Sequence, residues 1–488
     1  MNSFRRQFFR FRSGPGLLAA VLAGCGGGAG PGEPGPSARP PIVLFSIDTL
    51  RADRLGCYGA ERATSPRIDA FAGEAVRFAE TIAQAPLTAP SHMSIFTSLY
   101  PPVHRVVNYE RKDREPAALD DALVTLPRFL HDRGYLTVGL TGGGQVAGEL
   151  GFDRGFDYYG DDFLFWENDG GRYRPTLESL APIEEALRDR IGESRREGRP
   201  LFLFLHHYLC HDPYVKGPDE YRQKFLGDPV AGLPRRAEDL DFSVKFSGVR
   251  AQFFGKADPG NPAHLRQYLA LYDGGVLFAD AVFGRIVDLL REEGIYDDAL
   301  VVLVADHGEE FLEHGGILHS HLFRETLHVP LIVKFPGGRF AGHSVERPVE
   351  SFDIFPTVAD WLGLKDELPQ VQGRSLLPLV RGDGGFEGSP VSFSGSLHSV
   401  RFSRGGYTYS SQSRGRTPEW LFGAGDVGER RNLAPEKPEL AADLRRRARE
   451  IVEENRAWRQ KLVAGGSERG AALSPERVRQ LRALGYVQ

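Results

Sequence analysis

The sequence predicts an α/β fold: a central, mostly parallel sheet flanked by helices, followed by a small C-terminal antiparallel sheet. Three observations predict it. Pro41 to Asp48, Pro200 to His206 and Leu300 to His307 are continuous apolar runs, the pattern of strands buried on both faces. Helical periodicities alternate with such runs along most of the chain, as a sheet with crossover helices requires. Composition then changes near Gly382, and short alternating segments take over from Pro390 to Phe422.

The elements follow in order. After the first strand, Ser65 is placed as N-cap and Pro66 as first residue of a helix that buries Ile68, Phe71, Ala72 and Ala75. A second helix starts near Pro90, which places Thr88 beside free backbone N–H groups. A strand follows at Leu136 to Leu140. Lys216 to Pro262 has weak periodicity, the mark of a long functional insertion such as a lid or substrate loop. His264 to Glu293 reads as a long amphipathic helix softened at Gly274-Gly275, and Val329 to Phe335 as another strand. In the C-terminal sheet, Val400 and Phe402 fall on one face, Ser399 and Arg401 on the other. The domain boundaries are 1–40 for a leader and tether, 41–385 for the catalytic domain, 386–434 for the small sheet and 435–488 for a helical tail. Within the tail, Arg445 to Arg449 reads as a solvated helix face.

With 488 residues, 41% hydrophobic residues and a net charge of −5, the chain can build a large core and is not a nucleic-acid binder. Arg5, Arg6, Arg10 and Arg12 precede a short apolar stretch from Gly16 to Gly24, which is too short to span a bilayer. Leu22-Ala-Gly-Cys25 resembles a bacterial lipobox, and Arg5-Arg6-Gln7-Phe8-Phe9 a twin-arginine export signal. The resemblance implies an exported lipoprotein of the bacterial cell envelope, membrane-anchored through lipidated Cys25. Cys57 and Cys210 make no disulfide framework and read as packed residues.

The strand ends carry chemistry. In open α/β sheets, ligands bind beyond the carboxyl ends of the strands, so Asp48, His206, Asp306 and His307 can converge at one edge. Thr88, at a helix start beside a divalent metal, is a plausible nucleophile. Ser46 to Gly59, Thr88-Ala-Pro-Ser-His92, Gly151 to Asp157, His206 to Tyr214, Ala305 to Gly308 and His314 to Pro330 together resemble the sulfatase family of the alkaline phosphatase superfamily. That resemblance implies an alkaline phosphatase-like fold and one divalent metal held by Asp48, Asp306 and His307, with Thr88 completing the sphere. Such a donor set suits Zn²⁺ or Mn²⁺ better than Ca²⁺. It implies catalytic roles for His206, His211 and His319, with His321 competing with His319 for one role. His92, Ser91 and His321 are expected at the substrate; His207 and His314 are further candidates.

The departures from the family pattern bear on mechanism. Thr88 replaces the Cys or Ser that is oxidised to formylglycine, so formylglycine is not expected. His92 replaces an Arg, Asp48-Thr49 an acidic pair, and Thr141 to Val146 lacks the usual Lys and His. What remains resembles the mono-metal site of phosphoethanolamine transferases. The expected activity is metal-dependent hydrolysis of an anionic sulfate or phosphate ester, carried by a small molecule, glycan or lipid. The alternatives are an envelope phosphoryl transferase and a non-catalytic glycan binder.

Overall fold

The computed structural model describes residues 39–108, 118–161, 176–215, 217–241, 244, 246–384, 388–394, 397–411, 419–463, 473–475, 477–478 and 481. The expected leader, lipobox and nearly all of the tether lie outside the described residues. No helix among those described is long and apolar enough to cross a membrane.

The large sheet uses β1 (Ile42–Ile47), β2 (Val76–Ile82), β3 (Leu136–Thr141), β4 (Tyr158–Gly160), β5 (Leu201–His207) and β6 (Leu300–Val304). A separate hairpin pairs β7 (Glu310–Phe311) with β8 (Ile317–Leu318). The large sheet is completed by β9 (His328–Lys334), β10 (Ser344–Val345) and β11 (Val349–Glu350). Its order is β10-β2-β9-β6-β1-β5-β3-β4, with β11 also on β2. Only β9 runs antiparallel to its neighbours.

β1 is central, parallel to β5 on one side and β6 on the other, with Ser46 opposite both His206 and Val304. This register brings the residues that follow β1 and β6 to one edge, beside the end of β5. The strands are apolar throughout because both faces are covered. Phe45, Leu203 and Leu303 pack with Phe278 and Phe283 of the long helix. Leu44, Phe204 and Val302 pack on the other face with Met93, Ile95 and Phe96. Each such buried side chain contributes roughly 1.5–3 kcal/mol.

The Pro66–Gly73 helix forms as expected, with Ile68, Phe71, Ala72 and Ala75 buried. Ser65 occupies the N-cap, but its hydroxyl accepts from the Gly56 N–H at 2.8 Å and donates to Asp69 at 2.9 Å. The cap is supplied instead by Asp280, which accepts the N–H groups of Arg67 (3.0 Å) and Ile68 (2.7 Å). Asp280 lies on the long helix, Pro262–Glu292, which is itself capped by Asn261. Gly274 does not soften that helix. It lets Arg222 approach: a Cβ there would lie 2.5 Å from Arg222 Cα.

The Lys216 to Pro262 insertion contains two short helices, Asp219–Arg222 and Phe246–Phe254. Residues 216, 242, 243 and 245 lie outside the described set. The C-terminal sheet is antiparallel, with β12 (Val391–Phe393), β13 (Val400–Arg404), β14 (Tyr407–Ser411) and β15 (Glu419–Gly423) in sequence order. Val400, Phe402 and Tyr409 share a core with Leu444 and Ile451 of the Pro438–Leu462 helix. Ser399 and Arg401, on the opposite face, are buried too, and Arg401 pairs with Glu429 and the Leu322 carbonyl. Arg445, Arg446 and Arg447 are paired with acidic side chains at the helix surface.

Gly274→Ala is expected to destabilise the fold by about 1–3 kcal/mol through overpacking against Arg222. Gly73→Ala, where a Cβ meets nothing within 4 Å, serves as the near-neutral control in chemical denaturation.

Candidate active site

Asp48 follows β1 in a turn where Thr49 adopts a positive φ of 57°. Tyr272 of the long helix holds that turn, its hydroxyl donating to the Thr49 carbonyl at 2.6 Å and accepting the Arg51 N–H at 2.9 Å. The Thr49 N–H in turn donates to Asp306 Oδ1 at 3.2 Å, as does the His307 N–H at 2.9 Å. One oxygen of Asp306 is therefore occupied by backbone. Asp306 Oδ2 and Asp48 Oδ1 are buried and receive no hydrogen bond.

Thr88 Oγ1 stands 3.2 Å from Asp48 Oδ2 and 3.2 Å from His307 Nε2. His307 Nδ1 lies 2.9 Å from the Gly308 carbonyl, which assigns the proton to Nδ1 and leaves Nε2 as the ligand atom. Ligand atoms of Asp48, Asp306 and His307 lie within 4.8 Å of one another, all fully buried. Burial alone would lower the His307 pKa, but the Asp306 and Asp48 carboxylates outweigh it and raise it. Two buried carboxylates sharing one imidazole fit a divalent cation: it would neutralise them and use their free oxygens.

The helix carrying Thr88 spans Thr88–Thr97, so Thr88 is its first residue and Pro90 its third. This corrects the expectation of a helix end rich in free donors. The Ala89 N–H is taken by Asn108 Oδ1 at 2.8 Å, and Pro90 has no N–H to give.

Ser91 and His92 are turned into the protein. Ser91 Oγ donates to the Asp306 carbonyl at 2.6 Å. His92 Nδ1 lies 3.0 Å from the Thr88 carbonyl and 3.4 Å from Asp306 Oδ2, while Nε2 lies 2.8 Å from Ser46 Oγ. Burial pushes the His92 pKa down to about 3, so the ring is neutral and braces Thr88 against Asp306. His206, at the end of β5, is fully buried with neither ring nitrogen hydrogen-bonded; its Nε2 is 3.7 Å from Asp48 Oδ2. Burial lowers its pKa to about 4.

The remaining histidines divide into two groups. The rings of His307 and His319 are 4.4 Å apart, and those of His319 and His211 are 5.4 Å apart. His319 Nδ1 lies 2.9 Å from Glu309 Oε1. Burial raises Glu309 to about 8 and drives His319 well down, so His319 is neutral. His211 Nδ1 lies 3.0 Å from Asp212, which Arg250 grips through two hydrogen bonds. His321, by contrast, pairs with Glu310 at 2.8 Å and its side chain is 41% exposed. His314 pairs with Glu325 and stacks on Phe323 at 3.8 Å, and His207 lies edge-on to Phe45. Of the competing pair, His319 therefore stands beside His307, and His321 stands with Glu310 and Phe323.

Sequence reasoning did not single out Asp212, Glu309, Tyr272 or Arg250. Asp212 lies within the His206 to Tyr214 motif without being given a role, and Glu309 adjoins Ala305 to Gly308, so both could have been suspected; Arg250 sits in a segment without a pattern. Cys57 and Cys210 are free, and burial raises both thiol pKa values, to about 12 for Cys57.

The carboxyl edge of a mostly parallel sheet, carrying a buried carboxylate, imidazole and hydroxyl set that could hold a metal ion, is the layout of α/β enzymes with a sheet-edge site. The chain belongs to the sulfatase family, whose profile matches residues 40–364, and is a hydrolase of the sulfuric or phosphoric ester class. Steryl-sulfatase of Mus musculus is 28% identical over 436 residues, 75% of this chain and 69% of that protein. Multifunctional alkaline phosphatase superfamily protein PehA of Trinickia caryophylli is 32% identical over 218 residues, 42% of this chain and 41% of that protein. The phosphonate monoester hydrolase of Agrobacterium radiobacter has the same fold, with a TM-score of 0.66 at 20% identity, covering 88% of this chain and 100% of that one.

The cluster predicts a single divalent ion per chain by elemental analysis. Asp306→Asn should lose that ion, and His321→Ala should keep it. Equal metal content in the two variants would contradict the ligand set.

Proposed function

We propose that the chain hydrolyses an anionic ester by in-line attack of Thr88 at a centre formed with Asp48, Asp306 and His307. The observation that carries this reading is Thr88 Oγ1, held 3.2 Å from both Asp48 and His307 while Asp48 Oδ1 and Asp306 Oδ2 stay free. A divalent ion there, Zn²⁺ or Mn²⁺ by its mixed oxygen and nitrogen donors, would lower the pKa of the Thr88 hydroxyl and polarise the ester.

Thr88 attacks the central atom and forms a covalent enzyme ester. His211 gives a proton to the leaving oxygen, neutral His319 is placed to contact that oxygen, and water then cleaves the enzyme ester. His206, neutral and without an internal hydrogen bond, is suited to contact an oxygen of the anionic group. His92 and Ser91 act from behind, bracing Thr88 and Asp306. Their internal hydrogen bonds support this role better than direct contact with substrate.

A threonine oxidised at its hydroxyl carbon would yield a ketone rather than formylglycine. The nucleophile is therefore the unmodified hydroxyl, a chemistry that favours phosphorus esters. The names of the relatives span a steryl sulfatase and a phosphonate monoester hydrolase, which supports an anionic ester as the substrate class. The leader motif supports export to the bacterial cell envelope and anchoring through a lipidated Cys25.

Aryl sulfate, phosphate, phosphodiester and phosphonate monoester substrates, offered to metal-replete enzyme, test the reading. Activity on at least one should fall by about 10³-fold or more in Thr88→Ala. Full activity in that variant would overturn the assignment of the nucleophile.

A further inference from the structure

The β1–β6 ladder ends at the pair Ser46 and Val304, so Asp48 and Asp306 each stand two residues beyond it. Past that point the two carboxylates repel, and the turns that carry them need a tie of their own. Arg51, three residues after Asp48, spans the gap. It is buried, with 7% of its side chain exposed. Its Nη1 donates to the Glu309 carbonyl at 3.1 Å and to Glu313 Oε1 at 2.6 Å, both on the segment that follows His307. Its Nε and Nη2 donate to Asp53 Oδ1 at 2.9 Å and Oδ2 at 2.7 Å, within its own turn. The guanidinium carbon lies 5.8 Å from the centre of the Phe311 ring. Gly308 makes room for the stem: a Cβ there would lie 3.1 Å from Arg51 Cγ and against the Glu325 carbonyl oxygen. Burial alone would favour loss of the charge, but Asp53 and Glu313 outweigh it and hold the guanidinium cationic.

We propose that Arg51 is a positioning residue for the metal centre: it holds the Asp48 turn and the segment after His307 at the separation the donor set requires. This rests on the reading of the site given above. The Thr49 N–H on Asp306 Oδ1, at 3.2 Å, joins the two stretches at the site itself. Arg51 joins them again farther along both, through Glu309 and Glu313, while Tyr272 accepts its backbone N–H at 2.9 Å. Glu313 also accepts the Phe311 N–H, so the carboxylate that Arg51 holds shapes the β7–β8 hairpin as well. That hairpin leads into His319, whose ring stands 4.4 Å from that of His307. The arrangement needs the guanidinium fork. It presents donors along two edges at once, one edge to Asp53 and the other to the Glu309 carbonyl and Glu313, whereas an ammonium is a point charge without such a fork. Loss of the fork frees the two stretches to move apart and leaves Asp48 and Asp306 at a spacing that suits a divalent ion less well.

A clasp that only stabilises the fold and one that sets the donor spacing differ in what they do to bound metal. Co²⁺ serves as the probe, because its visible bands report coordination geometry. The experiment competes a chelator for Co²⁺ on the loaded full chain and records the visible spectrum and the melting temperature. It compares wild type with Arg51→Gln, Arg51→Lys, Glu313→Gln and Leu444→Ala. Leu444 is buried in the core of the small C-terminal sheet, so its truncation lowers stability without touching the Asp48 turn. The expected result is Co²⁺ bound about tenfold or more weakly by Arg51→Gln, with altered visible bands, and partial recovery in Arg51→Lys. Glu313→Gln should weaken binding less, because the contact of Arg51 with the Glu309 carbonyl remains. Leu444→Ala should match wild type in affinity and spectrum despite a lower melting temperature. Should Arg51→Gln fail to fold, Arg51→Lys and Glu313→Gln carry the test. Wild-type affinity and spectrum in the Arg51 and Glu313 variants, or an equal loss in Leu444→Ala, would overturn the inference while the metal centre stands. Absence of Co²⁺ binding by the wild type would overturn the underlying reading, and this inference with it.

Discussion

Asp48 and Asp306 are two carboxylates without exposed surface, delivered to the same sheet edge by adjacent strands. Moving such a group out of water costs several kcal/mol even after the protein relaxes around it, and two together repel. The structure answers only part of that cost from within. The backbone of Thr49 and His307 satisfies one oxygen of Asp306, and the His307 imidazole serves both carboxylates. The remaining demand is for a cation. Placement of Thr88, orientation of His307 and burial of the site all suit a pocket of negative charge that a divalent ion could complete.

The surrounding elements can be understood as supports for that pocket. Parallel pairing of β1 with β5 and β6 sets which residues emerge at the edge, and a one-residue slip would turn the Asp48 strand end away. His92, a neutral imidazole, links three parts of the support at once: Ser46 on β1, the Thr88 carbonyl and Asp306. Tyr272 fixes the turn after Asp48 from the far layer, so the long helix acts on the site as well as on the core.

Much of this was legible in the residues. Apolar runs ending in Asp48, His206 and Asp306-His307 mark buried strands and their carboxyl ends, because strand length and polarity are local properties. The fold class and the small antiparallel sheet followed from the same kind of pattern. What was not legible depends on three-dimensional approach. His319 and His321 are two residues apart just after a short hairpin, and only the path of the chain decides that one meets His307 and the other Glu310. Arg250 carries no periodic signal, because its partner lies 38 residues away across an irregular loop. Gly274 reads as a weak point in a helix until the neighbouring Arg222 backbone is seen against it. The donor-poor start of the Thr88 helix depended on Asn108, which no local rule assigns to Ala89.

The most direct measurement is anomalous diffraction at a metal edge from crystals of the Mn²⁺- or Zn²⁺-loaded protein. The account predicts a single strong peak within coordination distance of Asp48 Oδ1, Thr88 Oγ1, Asp306 Oδ2 and His307 Nε2. A metal-loaded crystal with no peak there, or with its peak at the Glu310 and His321 pair instead, would contradict it.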